Sequence, residues 1–297
     1  MKSDIFKTNG AVATISEPME AETISKTGKS QTRGWNFLSF LVVAAIAVSA
    51  VFTSCDKKDD EDDNGKIKLL ETITFDFNEY GESLLRFEYD EQNRITRVAW
   101  YDENERLHYT LTFTYTGKDL TRLVEAAPGY SGTTYDFTRS GNTITAADSD
   151  YRHTFTLNSA GYLTRLVMAY EEEYDESWEQ ICEFSYDNAG NLVKISSLDE
   201  YEDETGWSYD FKHDTRNSPF RNDKTPKWIF PFMFLIDDWY EVGLHNNPTE
   251  ITFGGSYKTV ATYVYDSDNF PTKATWKGKE DDGDEYEYVI TFTYIEK

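Results

Sequence analysis

Aromatic and branched apolar residues recur at every second position along most of this chain, in short runs separated by turn-forming residues. The alternation is clearest in Phe87-Glu-Tyr89-Asp90-Glu-Gln-Asn93-Arg94-Ile95-Thr-Arg97-Val98, which recurs as Phe184-Ser-Tyr186-Asp187-Asn-Ala-Gly190-Asn191-Leu192-Val-Lys194-Ile195. A third copy runs from Phe155 and Leu157 through Gly161 and Tyr162 to Leu166, and looser ones span 113–123 and 263–274. Side chains in a strand alternate with period two, so Phe87 with Tyr89, and Phe184 with Tyr186, share one face, and that is the face to bury. Asp90 or Asp187 can bond the turn backbone, and Asn93, Gly161 or Gly190 can take the positive φ such a turn needs. Each copy therefore reads as strand, tight turn, strand.

Repetition of that unit predicts an all-β fold: an antiparallel meander of repeated β-hairpins, with roughly 14 to 16 strands at the usual spacing. A meander that long must curl, split or close, which gives a curved open sheet or a partly closed barrel. Charges such as Arg97, Glu183 and Lys194 crowd the strands, which disfavours a membrane-spanning barrel with its lipid-facing apolar band. The most apolar run of the body, Trp228 to Tyr240, has Pro226, Pro231 and Pro248 around it, which argues against an interior ladder strand. It is expected as a short irregular or helical insertion packed over the sheet.

The repeat resembles the Tyr-Asp (YD, or RHS-like) repeat. Residues 67–297 as a whole resemble surface lipoproteins of Bacteroidetes of uncharacterised function with a porin-like β fold. The segments Asp214 to Phe220 and Asn246 to Thr249 fit the same frame. The resemblance implies architecture and location, and it transfers no functional residue because the family has no established activity.

Ahead of the repeats, Phe37 to Phe52 is an uncharged apolar run preceded by Lys26, Lys29 and Arg33 and followed by Thr53-Ser54-Cys55. A positive region, an apolar region and a small-residue cleavage site define a secretory signal. The run is short for the ~20 residues a bilayer core needs, which weighs against a membrane-spanning anchor. Phe52-Thr53-Ser54-Cys55 resembles a bacterial lipobox, with Phe52 where an aliphatic residue is usual, so Cys55 is the expected lipidation site. The acidic run from Asp56 to Asp63 reads as a solvated tether. Within it Lys58-Asp59-Asp60 resembles the surface-export signal of Bacteroidetes lipoproteins. The expected organisation is a signal peptide with an extended n-region (1–54), a lipidated cysteine and acidic tether (55–66) and a single all-β repeat domain (67–297). The expected location is the outer membrane, lipid-anchored at the cell surface, with a periplasm-facing orientation as the alternative.

Composition narrows the partners. With 29 Lys and Arg against 54 Asp and Glu, the formal charge is −25, a field that repels nucleic acid and anionic headgroups. Aromatics are 16% of the chain, too many for a disordered acidic protein, so it can bury a core. Cys182 lies in an apolar frame and is expected to be an inert core thiol. No serine-hydrolase, Walker, dinucleotide or His-x-x-x-His signature is present, and His108, His153, His213 and His245 are scattered. The acidic loops 171–176, 199–204 and 280–285 are expected as solvated hairpin tips. Calcium is the one cofactor their oxygen ligands suit, on a weak signal because Asp281-Asp282-Gly283-Asp284 lacks the EF-hand register. Trp100, Trp178, Trp207 and Trp276 are candidates for stacking on a sugar or a protein partner, each weighed against simple packing under a loop. The expected function is a non-enzymatic, envelope-anchored binding or interaction module for glycan or protein. A structural module of the envelope is the alternative, and an envelope hydrolase ranks third.

Overall fold

The computed structural model describes residues 67–77, 81–148, 151–170, 178–198, 204–237, 243–279 and 285–297. Their first regularity is the turn. Asp90 Oδ1 accepts the amides of Gln92 and Arg94, both at 2.9 Å, while the Asp90 amide donates to Arg94 O at 2.9 Å. Asp102, Asn158, Asp187 and Asp266 repeat the pattern, each holding the amides two and four residues on. The fourth residue of each turn has positive φ: Asn93 61°, Glu105 57°, Gly161 84°, Gly190 87° and Asn269 64°. A short polar side chain thus satisfies backbone donors that the reversal would strand. Every such turn is followed by a one-residue register shift, the signature of a bulge that sharpens the strand twist.

Between the turns lie the strands β1 (Lys68–Asp76), β2 (Glu82–Tyr89), β3 (Ile95–Tyr101), β4 (Leu107–Thr116), β5 (Asp119–Ala127), β6 (Tyr130–Asp136), β7 (Thr138–Ser140), β8 (Thr143–Ala147) and β9 (Tyr151–Leu157). The series continues with β10 (Leu163–Tyr170), β11 (Trp178–Tyr186), β12 (Leu192–Leu198), β13 (Glu204–His213), β14 (Pro248–Phe253), β15 (Tyr257–Tyr265), β16 (Pro271–Lys279) and β17 (Glu285–Glu296). Among the described residues this makes 17 strands. That exceeds the roughly 14 to 16 expected from turn spacing, because 130–140 is one bent strand divided at Phe137.

All the pairings are antiparallel, and β1 lies between β17 and β2, with Leu70 opposite Tyr294 and Thr72 opposite Arg86. The sheet therefore closes on itself through its first strand, and reciprocal Ile67–Lys297 amide bonds of 2.8 and 2.9 Å extend that closure. At one place the circuit is incomplete. The bent strand pairs with β5 through β6 and with β8 through β7, and no register joins β6 to β8 among the described residues. The result is a nearly closed barrel with a seam.

Alternation sorts the side chains into a dry interior and a wet exterior. Leu85, Val98, Leu111, Leu123, Phe155, Leu166 and Ile290 face inward and are almost fully buried. The outer face carries cross-strand ion pairs such as Arg97–Glu88 at 2.8 Å, Arg165–Glu183 at 3.3 Å and Lys277–Glu287 at 2.6 Å. Exposed pairs of this kind contribute little stability, but they mark a surface built for water. A transmembrane barrel has the opposite sidedness.

Helix α1 (Ile229–Asp237) fills the interior. Trp228, Ile229, Phe230, Phe232, Met233 and Phe234 are all buried, and a helix apolar all round can be stable in water only if it is enclosed. Phe232 meets Tyr135, Phe155 and His153 at ring distances of 5.5, 5.2 and 5.5 Å, and Trp228 meets Phe137 at 5.0 Å. Pro231 falls in the first helical turn, where its missing N–H costs no intrahelical bond. The expected insertion over the sheet is therefore a short helix within it. No described helix is long and apolar enough to cross a membrane.

Candidate functional site

The strands alternate direction, so the barrel has two ends of different construction. At one end lie the turns at Asp90, Gly117, Asn158, Asp187 and Asp266, and from this end the segment 217–237 that carries α1 enters the interior. The entry is itself a repeat turn that has been opened. The Asp214 amide donates to Asn247 O at 3.0 Å, and Asp214 Oδ1 accepts the amides of Arg216 at 2.9 Å and Asn247 at 3.1 Å. Residues 217–246 thus stand where the other turns have one residue.

Polar contacts then seal this end. Asn246 and Asn191 exchange bonds of 2.9 and 3.0 Å, and Tyr162 Oη meets His245 Nε2 at 2.7 Å. Asn222 Nδ2 donates to Lys68 O at 2.9 Å, and the Ile95 amide to Thr225 Oγ1 at 2.8 Å. Asp223 is buried beneath, its Oδ1 accepting the Thr225 amide and hydroxyl, both at 2.8 Å. Burial pushes the Asp223 carboxyl up and the Lys227 ammonium down. Burial, with Lys227 and Arg221 nearby, takes the His245 imidazole down to about 4. These groups hold the insertion in place.

The opposite end, hereafter the mouth, is lined differently. There the inward positions are aromatic around much of the circuit: Phe77, Trp100 and Tyr109, Tyr135 and Tyr151, then Trp207, Tyr209, Phe253 and Tyr257, then Tyr286 and Tyr288. Neighbouring rings touch, with centroids 5.3 Å apart for Trp100–Tyr109, 4.8 Å for Tyr209–Phe253 and 5.5 Å for Phe77–Tyr288. Of these rings Tyr109, Tyr135 and Tyr288 are buried and most others half-buried, but Phe253 and Tyr257 remain 38% and 44% exposed. Thr259 Oγ1 and Tyr286 Oη bond at 2.7 Å across this wall.

Two ionisable features face inward on the seam side of the mouth. Glu125 of β5 lies opposite Leu111 on one side and Thr133 on the other. It is half-buried, burial pushes its carboxyl up, and it forms no ion pair among the described residues. The His153 ring is 4% exposed, with Nε2 3.1 Å from Asp148 Oδ2 and Nδ1 without a partner. Its ring lies 5.5 Å from that of Tyr135 of β6, reaching across the seam beside β8.

The residues singled out in the sequence distribute as follows. Cys55, Lys58, Asp59 and Asp60, with the tether and most of the acidic tips, lie outside the described residues. Trp276 is fully buried, Trp100 and Trp207 are half-buried at the mouth, and the Trp178 side chain is outside the described residues. Cys182 is fully buried, and burial pushes its thiol up to about 12. His153 and His245 are bonded inside the barrel, and His108 lies on its surface. No group of three or more metal-ligating side chains occurs among the described residues. Glu125 and the His153–Asp148 pair carried no sequence signal, since one acidic or basic residue in an alternating strand looks the same whichever face it takes.

No family model matches the sequence, and no curated protein is similar to it. Among solved structures, a porin-like protein from Bacteroides uniformis ATCC 8492 is similar at 13% identity and a TM-score of 0.38, over 76% of this chain and 96% of that one. A porin-like protein from Bacteroides vulgatus ATCC 8482 is similar at 11% identity and a TM-score of 0.33, over 77% and 99%. The barrel rests on its own strand registers.

Proposed function

We propose that this chain is an envelope-associated β-barrel lipoprotein, anchored through Cys55 and exported on the Lys58-Asp59-Asp60 address, that binds a glycan or protein ligand at its mouth. One observation carries the reading. The barrel is sealed at one end by its own insertion, while at the other Phe253 and Tyr257 stay exposed beside the half-buried Trp207, Tyr209 and Tyr286. Exposed rings on a concave wall cost hydration free energy that a ligand stacking on them would recover. The apolar interior and charged exterior weigh against a water-filled pore. The reading is non-enzymatic.

The test is capture from glycan arrays and envelope fractions by the chain, compared with Trp207→Ala and Tyr257→Ala variants of unchanged melting temperature. Capture that either variant weakens about tenfold supports the reading. Capture indifferent to both places the ligand elsewhere and refutes it.

A further inference from the structure

We propose that the β13–β17 side of the mouth binds a neutral oligosaccharide, its pyranose rings stacked along the strip formed by Trp207, Tyr209, Phe253 and Tyr257. This rests on the mouth being the binding surface and names the class of ligand for it.

The strip is continuous and open to water. Strand registers put Tyr209 opposite Phe253 and Phe253 opposite Tyr257, all on the inward face. Successive ring centroids from Trp207 to Tyr257 lie 6.0, 4.8 and 6.4 Å apart. The chain joining the last two rings is Gly254-Gly255-Ser256. Both glycines have positive φ and open space where a side chain would start, so neither crowds the approach to the two exposed rings. Beside Tyr257 the wall is held flat. Tyr286 lies opposite Gly278, and a Cβ on Gly278 would collide with the Tyr286 ring. The absent side chain lets that ring lie against β16 and reach β15, where Tyr286 Oη and Thr259 Oγ1 bond at 2.7 Å.

The chemistry of this wall selects the ligand. Among the described residues, the inward positions around the rings are Thr259, Ala261, Trp276 and Gly278, none of them charged. The inward ionisable groups of the mouth, Glu125 and His153, lie away on β5 and β9. A charged ligand would therefore give up hydration here without meeting a counter-charge, and an anionic one is also repelled by the net charge of −25. A peptide laid on the strip would need partners for its backbone amides. The strands have committed theirs to the ladder, and the Thr259 and Tyr286 hydroxyls bond each other. A neutral pyranose meets both conditions. One of its faces carries C–H groups that rest on the negative face of an aromatic ring, while its hydroxyls project from the rim into water. A run of adjoining rings then suits several linked sugars better than one.

The probes are the neutral cellohexaose, mannohexaose and chitohexaose, titrated calorimetrically into the full chain beside the anionic hexagalacturonate and the cationic chitosan hexamer. At least one neutral hexaose is expected to bind about tenfold more tightly than either charged one. Phe253→Ala and Tyr257→Ala, which truncate exposed rings and should leave the melting temperature unchanged, are each expected to weaken it about tenfold. Tyr257→Phe keeps the ring and should bind as the wild type does, as should Thr252→Ala on the outer face of β14. Binding of a charged hexamer as tight as any neutral one, no binding of any neutral hexaose, or indifference to both Phe253→Ala and Tyr257→Ala overturns the inference. If capture from envelope fractions is then still weakened by Trp207→Ala, the mouth reading stands with another class of ligand. If no mouth variant alters that capture, both fail together.

Discussion

Asp214 and Asn247 are 33 positions apart in sequence and are joined as the first and last residues of a single β-turn, with bonds of 3.0 and 3.1 Å between their backbones and side chain. The pairing explains how a repetitive meander acquires an interior. Inserting chain into a turn leaves both flanking strands in register, here β13 with β14, and delivers the inserted residues at the barrel end. Asp214 also accepts from the Tyr265 hydroxyl. Asp214→Ala should therefore destabilise by about 2–3 kcal/mol, since it strands several buried or half-buried donors. Asp102→Ala removes the same backbone bonds at an exposed turn and should cost about 1 kcal/mol. Urea unfolding of the two variants checks the order; equal losses would mean that the opened turn does not hold the insertion.

Two glycines with nearly the same backbone separate strain from packing. Gly161 has φ +84° and nothing within 4 Å of an added Cβ, whereas Gly190 has φ +87° and an added Cβ 2.6 Å from Tyr162 Oη and 3.0 Å from His245. Alanine at Gly161 should cost about 1–2 kcal/mol for the left-handed conformation alone. At Gly190 the same change must also push apart the Tyr162–His245 bond, so a total of about 3 kcal/mol is expected. Thermal unfolding of the two variants measures the difference, and equal shifts would show that Tyr162 yields freely.

Acid should loosen the sealed end. The His245 imidazole sits at about 4, below its ordinary 6.5, so the unfolded chain takes up a proton that the folded chain refuses. Stability present above pH 6.5 is then lost as pH falls toward 4. With an allowance for partial exposure the loss is on the order of 2 kcal/mol. His245→Gln, which cannot titrate, should lose less than the wild type by about that amount between pH 7.5 and 4.5. Parallel pH profiles for the two proteins would contradict the assignment.

Cys182 tests the dryness of the wall. A fully buried thiol pushed up to about 12 has almost no thiolate at neutral pH. Alkylation by iodoacetamide should be negligible in the native protein and rapid in urea. Prompt native reaction would mean that the barrel opens at β11.

The hairpins were legible because each carries its own chemistry. The aspartate, the positive-φ residue and the paired aromatics are local, and local signals survive in a single sequence. One more copy could have been read: Tyr101-Asp102-Glu-Asn-Glu105-Arg106-Leu107 matches Tyr89-Asp90-Glu-Gln-Asn93-Arg94-Ile95 nearly residue for residue, and Arg106 and Arg94 repeat the same bond to their aspartates at 3.0 and 2.8 Å. Closure was not legible, because the pairing of β1 with β17 depends on accumulated twist around the whole meander. The place of α1 was hidden for the same reason. An apolar segment states that it is buried but not on which side of a sheet, and only a closed sheet has an inside. Glu125 belongs with it, since whether its parity meant lumen or solvent depended on that closure.

The claim on which everything else depends is that the insertion fills the barrel. Phe232 is fully buried among Tyr135, Phe155 and His153, and Phe232→Ala should cost about 3–5 kcal/mol. Amide hydrogen exchange on the full chain reads the claim most directly. The amides of Ile229–Asp237 should exchange among the slowest in the molecule, with β2, β9 and β11, opening only in global unfolding. Exchange of that helix at the rate of the exposed hairpin turns would place it on the surface and contradict the account.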